Sequence, residues 1–270
     1  NLQNNNKFGL GNMNKKILLV GGCGFIGHNL ALYLKKEGCS VSIVDSLSVN
    51  NVLSFTDSDI KNKKLYSSIL NNRIELLNDK EINLIVQDAR DYHAISKLYD
   101  EINPDIIIHL AAVSHANKSN KDPHSTFDHS FRTLENTLDF AKNKKKHVVY
   151  LSSSMVYGDF DSKDVNEETV CKPIGIYGTL KYSGELLVKA YNQIFDLPYT
   201  IIRPSALYGE RCVSRRVGQI FIENAIQGLD ITINGDGEEK LDFTYIEDLI
   251  EGISLCCKKE SAKNQTFNLT

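Results

Sequence analysis

Six short, largely apolar runs recur along the chain, and stretches with helical periodicity separate them. The runs occupy residues 17–20, 41–44, 84–86, 106–110, 148–151 and 199–202. Such a run is typical of a strand that is buried on both faces of a parallel sheet. Strands that alternate with helices predict an α/β fold with a doubly wound parallel sheet. Because these sheets bind ligands beyond the carboxyl ends of their strands, we expect the functional residues directly after the runs.

Charge and cysteine content narrow the classes of partner. The 270 residues include 31 Lys and Arg against 34 Asp and Glu, a net charge of −3, so we expect no nucleic-acid partner. No apolar run reaches the length of a bilayer span, so we expect no membrane partner. The six cysteines show neither a C-x-x-C pair nor zinc-like spacing. This pattern predicts no metal site and reduced thiols in a cytoplasmic protein.

A glycine-rich turn follows the first run and opens the first helical stretch. Gly21, Gly24 and Gly27 give a G-x-x-G-x-x-G spacing. Glycines let the backbone approach a pyrophosphate closely, and the helix N-terminus offers free N–H groups and a positive dipole end. Asp45 ends the second run, where a carboxylate accepts hydrogen bonds from the adenosine ribose and repels a 2′-phosphate. These features predict a Rossmann-like domain that binds NAD rather than NADP; the alternative, that Asp45 is only a polar strand end, stays open.

The remaining cofactor contacts are predicted from their position after the first four runs. Asp88 suits the adenine edge, and the small Ala111 and Ala112 let a cofactor pass close to the sheet. The predicted cofactor-binding set is Gly21, Gly24, Phe25, Ile26, Gly27, Asp45, Asp88, Ala89, Leu110, Ala111 and Ala112.

A candidate proton-transfer group lies later in the chain. Tyr177 and Lys181 are four residues apart on a predicted helix, which places them on one face. A lysine ammonium near a phenol lowers the phenol's pKa, so the tyrosine becomes a usable base near neutral pH. Three serines, 152–154, end the fifth run, and one hydroxyl there can share the same proton. A Y-x-x-x-K spacing is also common by chance, and an ordinary surface pair is the alternative.

Together these residues resemble the extended short-chain dehydrogenase/reductase family, and in particular its NAD-dependent nucleotide-sugar epimerases and dehydratases. The resemblance covers residues 15–270. Besides the glycine turn and the Tyr/Lys pair, it rests on three segments. Residues 153–158 are similar to S-x-x-V-Y-G, and residues 203–209 are similar to R-P-x-N-x-Y-G. Residues 235–237 and 242–248 together are similar to G-D-G…R-D-F-x-Y-V-x-D. It implies Ser153, Tyr177 and Lys181 as the catalytic residues, with Tyr177 and Lys181 also in contact with NAD. The implied reaction begins with hydride removal from a sugar carbon, usually C4.

The sequence departs from the family's pattern at informative positions. Dehydratases carry an Asp-Glu pair where this chain has Ser154 and Met155, and decarboxylating relatives carry Glu at the Met155 position. Methionine transfers no proton, so both reactions are disfavoured. Ala206 and Leu241 replace an Asn and an Arg that often bind the sugar or the diphosphate. Guanidinium groups pair well with phosphate, so we expect arginines to bind the diphosphate instead. The candidates are Arg203, Arg211, Arg215 and Arg216. The alternative is that these arginines form a solvated basic loop.

The function predicted from this resemblance and from the departures is a nucleotide-sugar epimerase that inverts C4 through a transient 4-keto intermediate. A nucleotide-sugar 4-dehydrogenase or reductase, a 4,6-dehydratase and a non-catalytic NAD-binding protein are the alternatives, and the nucleotide stays open. The predicted substrate-binding residues are Ser114, His115, Ser154, Met155, Arg203, Ser205, Arg211 and Arg216. We also expect a homodimer, as in relatives, through helices that carry Phe127, Phe131, Leu134 and Leu138, and Leu187, Tyr191 and Ile194; the alternative is that these residues face the sheet.

Four regions are predicted along the chain. Residues 1–12 form a flexible leader, 13–204 the NAD-binding Rossmann domain, and 205–239 a small substrate-binding lobe. Residues 240–270 return to the Rossmann domain, and relatives continue beyond this point. The segment 48–81 is too long for a simple connection, and Leu65, Ile69, Ile74 and Leu77 suggest an inserted helix or two. The insertion either caps the site or decorates the surface, with decoration favoured.

Overall fold

A computed structural model describes residues 14–49, 51–55, 62–113, 116–159, 164–214, 216–233, 235–238 and 240–270. The predicted leader, 1–12, lies outside the described residues. Within them, seven strands form one sheet in the order β3-β2-β1-β4-β5-β6-β9, and every neighbouring pair is parallel. The strands are β1 (Lys16–Val20), β2 (Ser40–Asp45), β3 (Asn83–Val86), β4 (Ile106–His109), β5 (His147–Leu151), β6 (Tyr199–Pro204) and β9 (Gln265–Leu269). The predicted Rossmann-like parallel sheet is confirmed.

Helices cover both faces of this sheet. They are α1 (Phe25–Lys36), α2 (Lys63–Asp79), α3 (Tyr92–Ile102), α4 (Ala116–Lys121), α5 (Pro123–Phe127), α6 (Thr133–Lys144), α7 (Gly175–Phe195), α8 (Val217–Ile226) and α9 (Ile246–Lys258). A π-helical turn, Asp128–Arg132, joins α5 to α6. One hydrophobic core lies between the sheet and α1, α9 and the end of α2, and the other between the sheet and α3, α6 and α7.

The central strand β1 shows why the apolar runs are continuous. Ile17 and Leu19 belong to the core on the α1 side, whereas Leu18 and Val20 belong to the core on the α6 side. All four side chains are at most 1% exposed. Because successive residues of a strand point to opposite faces, a strand with two covered faces needs an apolar residue at every position.

The insertion between β2 and β3 is part of the interior. After a 3-10 turn at Val52–Phe55, it forms the single long helix α2. Tyr66 and Leu70 pack with Val213, which lies in the segment leading to α8. The favoured interpretation of the insertion as surface decoration is therefore wrong. Of the four apolar residues predicted to mark the helix, Leu77 is buried and Ile69 and Ile74 pack against buried clusters, whereas Leu65 is 49% exposed.

A small second sheet joins the segment predicted to form the substrate lobe, 205–239, to the segment that follows it. β7 (Leu207–Tyr208) pairs in parallel with β8 (Thr244–Tyr245), and α8 lies between them in the chain. This arrangement places the β6–α8 segment beside the carboxyl ends of the large sheet.

None of the helices in the described ranges combines the length and the apolar character that a membrane crossing requires.

A close approach between α7 and β5 depends on a glycine and gives a first prediction. A Cβ built on Gly184 would lie 2.7 Å from the Tyr150 Cζ and 3.0 Å from the Leu134 Cδ2. Gly184→Ala should therefore destabilise the fold by about 1–3 kcal/mol, since the buried ring and helix must move apart. The measurement is urea unfolding followed by circular dichroism.

Gly218→Ala on α8 is the matched control. A Cβ at Gly218 meets no heavy atom within 4 Å among the described residues. We expect this variant to be as stable as the parent or to gain about 0.4–1 kcal/mol. Equal midpoints for the two variants would contradict tight packing at Gly184.

Candidate active site

The glycine turn has the geometry that a dinucleotide requires. Gly21 has a φ of +76°, and a Cβ there would lie 2.7 Å from the backbone of Ala111 at the end of β4. Gly24 has only the Gly21 carbonyl oxygen near its Cβ position, at 3.5 Å, and it lines the cavity. Any larger residue at Gly24 would take up space at the N-terminus of α1, where a pyrophosphate binds.

A cavity of about 1100 Å³ runs from this turn along the carboxyl ends of the strands to the β6–α8 segment. Pockets for one small molecule measure about 300–1,000 Å³, so this cavity suits a dinucleotide together with part of a second ligand. The sequence-predicted residues that line it are Gly21, Gly24, Phe25, Ile26, Gly27, Asp45, Asp88, Ala89, Leu110, Ala111, Ala112, Ser153, Ser154, Met155, Tyr177, Lys181, Ser205, Arg211 and Arg216. Ser114, His115 and Arg215 lie outside the described residues.

Asp45 holds the end of β2 against the glycine turn. Its Oδ2 accepts a hydrogen bond from the Cys23 amide at 2.9 Å, and its Oδ1 accepts one from the Leu47 amide at 2.7 Å. Burial raises the pKa of the Asp45 carboxyl, whereas these two hydrogen bonds and the positive charge of Arg73 oppose that rise. The carboxylate thus has a structural role besides the ribose contact predicted for it.

Asp88 lies at the same rim of the cavity and is already paired. Both of its oxygens accept hydrogen bonds from Arg90, the shortest at 2.6 Å. The hydrogen bond from Arg90 lowers the pKa of the Asp88 carboxyl. The two oxygens are therefore held in place beside the position predicted for the adenine.

Tyr177 lies on the first turn of α7 and faces the cavity. Burial raises the pKa of its phenol, and a hydrogen bond with Ser153 and the positive charge of Arg216 oppose that effect. Arg216 precedes α8, so a cation from the β6–α8 segment acts on the Tyr177 phenol. The sequence predicted this role for Lys181 and placed Arg216 only at the substrate.

Lys181 is 5% exposed and is held by β5. Its Nζ donates a hydrogen bond to the Leu151 carbonyl at 2.6 Å and lies 5.2 Å from the centre of the Tyr150 ring. Burial lowers the pKa of Lys181 to about 8, and the nearby Glu185 opposes this shift. The lysine is therefore charged at neutral pH and becomes neutral only a little above it.

Arg203 does not line the cavity, which corrects its assignment to the substrate. Its Nε and NH2 groups donate to the two carboxylate oxygens of Glu185, at 2.9 and 2.6 Å. The two side chains are 3% and 0% exposed. Burial disfavours the charge, but the hydrogen bonds that Arg203 donates to Glu185 and the negative charge of that carboxylate raise the pKa of Arg203 above its usual value. A guanidinium paired in this way is not available to a phosphate.

The Glu185–Arg203 pair connects the elements that carry the predicted catalytic residues. Ser152 Oγ donates to Glu185 at 2.5 Å, and Arg203 NH1 donates to the Tyr157 hydroxyl at 2.7 Å. That hydroxyl donates in turn to Asn268 on β9 at 2.8 Å. The pair therefore ties α7 to the ends of β5, β6 and β9.

Arg211 lines the cavity but is partly engaged with α1. Its Nε donates to His28 Nε2 at 3.0 Å, and its NH2 donates to the Asn29 side chain at 2.9 Å. Of the arginines proposed as substitutes for the family's diphosphate ligands, Arg211 and Arg216 thus lie at the cavity.

A model of the NAD dependent epimerase/dehydratase family matches residues 17–270. The chain belongs to this family. The match spans the glycine turn, the Tyr177 and Lys181 helix and the β6–α8 segment, and so includes every part of the cavity wall named above.

Individual relatives of this epimerase/dehydratase chain have different activities. It is 29% identical over 256 residues to an uncharacterized UDP-glucose epimerase, YtcB, of Bacillus subtilis, covering 94% of this chain and 76% of the relative. It is 28% identical over 262 residues to the dTDP-D-glucose 4,6-dehydratase of Dictyostelium discoideum, covering 93% of this chain and 57% of that protein. The structure of UDP-glucuronic acid 4-epimerase from Bacillus cereus, in complex with UDP-glucuronic acid and NAD, matches with a TM-score of 0.80 and 26% identity, covering 94% of this chain and 77% of the other.

Several cavity residues were missed by the sequence analysis of this family member. Arg73 and Glu223 are buried charged groups in the wall, and His129 and Thr133 line it from the π-helical turn and the start of α6. A signal existed for Arg73, because residues 66, 70, 73 and 77 form the buried face of α2 and one of them is an arginine. Glu185 was detectable as well, since it lies one helical turn after Lys181.

The buried pair gives the second prediction. Glu185→Gln removes the negative charge and leaves the Arg203 guanidinium buried without a counterion. Breaking such a pair costs about 3–5 kcal/mol of unfolding free energy, which urea titration measures.

Two further variants test whether the buried charge is responsible. Asp196→Asn removes the acid from the exposed pair with Lys145, whose side chains are 85% and 63% exposed, and we expect a loss of less than about 1 kcal/mol. Replacing both buried partners, Glu185→Leu with Arg203→Met, should cost less than Glu185→Gln alone, because no uncompensated charge is left. A loss after Glu185→Gln no larger than that after Asp196→Asn would contradict the assignment.

Proposed function

We propose that the chain is an NAD-dependent nucleotide-sugar epimerase that inverts C4 through a transient 4-keto sugar. The observation that carries this proposal is the meeting of Tyr177, Ser153 and Lys181 with the glycine turn in one cavity. The B. cereus 4-epimerase, solved with NAD and UDP-glucuronic acid, shares this fold, and it supports a UDP-sugar as the first substrate to test.

The residues present fit NAD. The open side of Gly24, the N-terminus of α1 and the Asp45 carboxylate lie along one wall of the cavity. NAD, when bound, accepts hydride from the sugar carbon and gives it back. Asp45 favours it over NADP, because a carboxylate repels a 2′-phosphate.

Tyr177 is the proposed base for the sugar hydroxyl. Its phenol shares a hydrogen bond with Ser153, so the serine orients the proton as it moves. The charge of Arg216 favours the phenolate, and burial opposes it. We assign Lys181 as a second cation for the phenolate, from its place one helical turn after Tyr177. Proton removal by a positioned base of this kind contributes a rate factor of about 10²–10⁴.

Ser154 and Met155 separate this proposal from dehydration. Both line the cavity next to Ser153, and Met155 is 39% exposed to it and to solvent. Neither position supplies a carboxyl group to eliminate water beside the ketone. This argument sets the chain apart from the dehydratase of D. discoideum, with which it shares 28% identity.

The proposed contacts to the diphosphate and the sugar are Arg211, Arg216 and Ser205. All three line the end of the cavity beyond Tyr177, and two of them are cations suited to phosphate. Ser114 and His115 keep their predicted place in the substrate site as a proposal from sequence alone.

We further propose a cytoplasmic homodimer. All six cysteines are free thiols, as expected in a reducing compartment. The predicted dimer surface needs correction, because Leu134 and Leu138 are fully buried beneath the sheet. The exposed apolar residues on α5 and α7 are Phe127, Leu186, Ile194 and Phe195, at 40%, 51%, 73% and 40%, and we assign the interface to them.

A labelled substrate tests the epimerase proposal. UDP-glucuronic acid and UDP-glucose, each carrying deuterium at C4, should give the C4-inverted sugar with the label still at C4, because the same hydrogen returns to the carbon it left. NMR reads both configuration and label. Label that appears in free NADH would support a 4-dehydrogenase, and a 4-keto-6-deoxy product would support a dehydratase; either result overturns the proposal.

Tyr177→Phe is the control for this assay. The variant should lower the turnover rate about 10²–10⁴-fold with little change in NAD affinity, because it removes the base and keeps the ring. Unchanged turnover would rule out Tyr177 as the base.

The dimer prediction rests on the exposed face of α7. Light scattering at micromolar concentration should give the mass of two chains, and Ile194→Asp should give the mass of one. Ile226→Asp, at an 81% exposed site on α8, is the matched control and should stay dimeric. A monomeric parent chain would contradict the proposal.

A further inference from the structure

Arg73 is a buried cation in the cavity wall whose hydrogen bonds are incomplete. It lies on the inserted helix α2, is 1% exposed and lines the cavity. Its Nε donates to the Arg211 carbonyl at 3.1 Å, and its NH2 donates to the same oxygen. Its NH1 group has no hydrogen-bond partner within the described part of the chain. A buried, charged donor of this kind is costly to leave unpaired. The unpaired NH1 therefore indicates an acceptor that the described part of the chain does not itself supply.

The charges around Arg73 favour an anion as that acceptor. The ionisable groups near it are Cys23, His28, Asp45, Arg211 and Cys212. Burial raises the pKa of Cys23 to about 11 and lowers the pKa of His28 to about 3, so both are neutral at physiological pH. Burial also lowers the pKa of Arg73, to about 10, which leaves the guanidinium charged. Two guanidinium groups therefore face one carboxylate, and the surplus charge is positive.

Asp45, the carboxylate near Arg73 among the described residues, is already engaged. Asp45 accepts hydrogen bonds from the Cys23 and Leu47 amides. Cys23 itself belongs to the glycine turn, and the Asn51 side chain, from the same insertion as α2, donates to its carbonyl at 3.1 Å. The insertion thus reaches the turn at two points, through Asn51 at the backbone and through the charge of Arg73.

We propose that Arg73 is a phosphate-binding residue, which the insertion contributes to the glycine turn for the pyrophosphate of NAD. The inference rests on the proposed NAD-dependent function. Arg73 has an unpartnered buried NH1 in the cavity wall, and its charge reaches Cys23 in the turn that opens the 12-residue helix α1. A guanidinium in this position complements a phosphate oxygen at the helix N-terminus. The turn's own N–H groups and Arg73 would then hold the pyrophosphate from two sides.

Calorimetric titration of the nucleotide-free chain with NAD, ADP and adenosine tests this role. Arg73→Gln should weaken NAD and ADP about 10–100-fold, the range for loss of a charge-assisted hydrogen bond, and should leave adenosine unchanged. Arg73→Lys keeps the charge without the planar fork, so its NAD and ADP affinities should fall between those of the parent and Arg73→Gln. Tyr66→Phe is the matched control on the same helix, since the Tyr66 hydroxyl donates to Glu223 rather than toward the turn, and it should bind all three ligands as the parent does.

Other outcomes overturn the assignment. Parent-like affinity of Arg73→Gln for NAD and ADP would show that NH1 serves no phosphate. An equal loss for adenosine, NAD and ADP would show that Arg73 only supports the Arg211 loop. If Arg73→Gln fails to fold, Arg73→Lys decides, and parent-like binding of ADP by that variant overturns the proposal. A parent chain that binds ADP in an Arg73-dependent way but does not bind NAD would refute the proposed function and leave the phosphate site standing.

Discussion

The parallel direction of all seven strands is the constraint on which the rest of the structure depends. Parallel strands need crossover helices on both faces, and the helices bury the four apolar residues of β1, 17–20. The same direction brings all the carboxyl ends to one edge of the sheet. The glycine turn after β1, Asp45 at the end of β2 and Ser153 after β5 are far apart in sequence, yet they meet at this edge because the strands that carry them run the same way.

The cationic side chains near this edge of the sheet are of two kinds, those paired with a buried carboxylate and those that are not. Arg203 is neutralised by Glu185 inside the protein, and this pair fixes α7 against β6. Neither Lys181 nor Arg216 forms an ion pair with another described residue, and both line the cavity with Tyr177. The positive charge of Arg216 favours the ionised form of Tyr177. The pKa of Lys181 is about 8, so its own charge is lost as the pH rises through that value.

Sequence reasoning found what is encoded locally and missed what depends on distant partners. The strands, the glycine turn and Asp45 follow from periodicity and from short motifs, and the structure has them where they were predicted. Arg203 was assigned to the substrate because its motif does not reveal Glu185, which lies 18 residues earlier on another element. Arg216 acts on Tyr177 only because the chain folds back after β7. The Ser114 and His115 predictions stay as they were, since both residues lie outside the described part of the chain.

The insertion explains how the long connection between two neighbouring strands comes to shape the cavity wall at the β6–α8 segment. One end of α2 is fixed to the sheet core through Leu77, and the other reaches α8 through hydrogen bonds from Tyr66 and Asn62 to Glu223. Between these two attachments, Arg73 binds the Arg211 carbonyl, and the Arg211 side chain binds α1. The glycine turn, the insertion and the β6–α8 segment therefore share one hydrogen-bonded wall. A phosphate held by Arg73 would act on the same residue that fixes the Arg211 loop, so occupancy of the dinucleotide end would help to hold the loop that lines the sugar end.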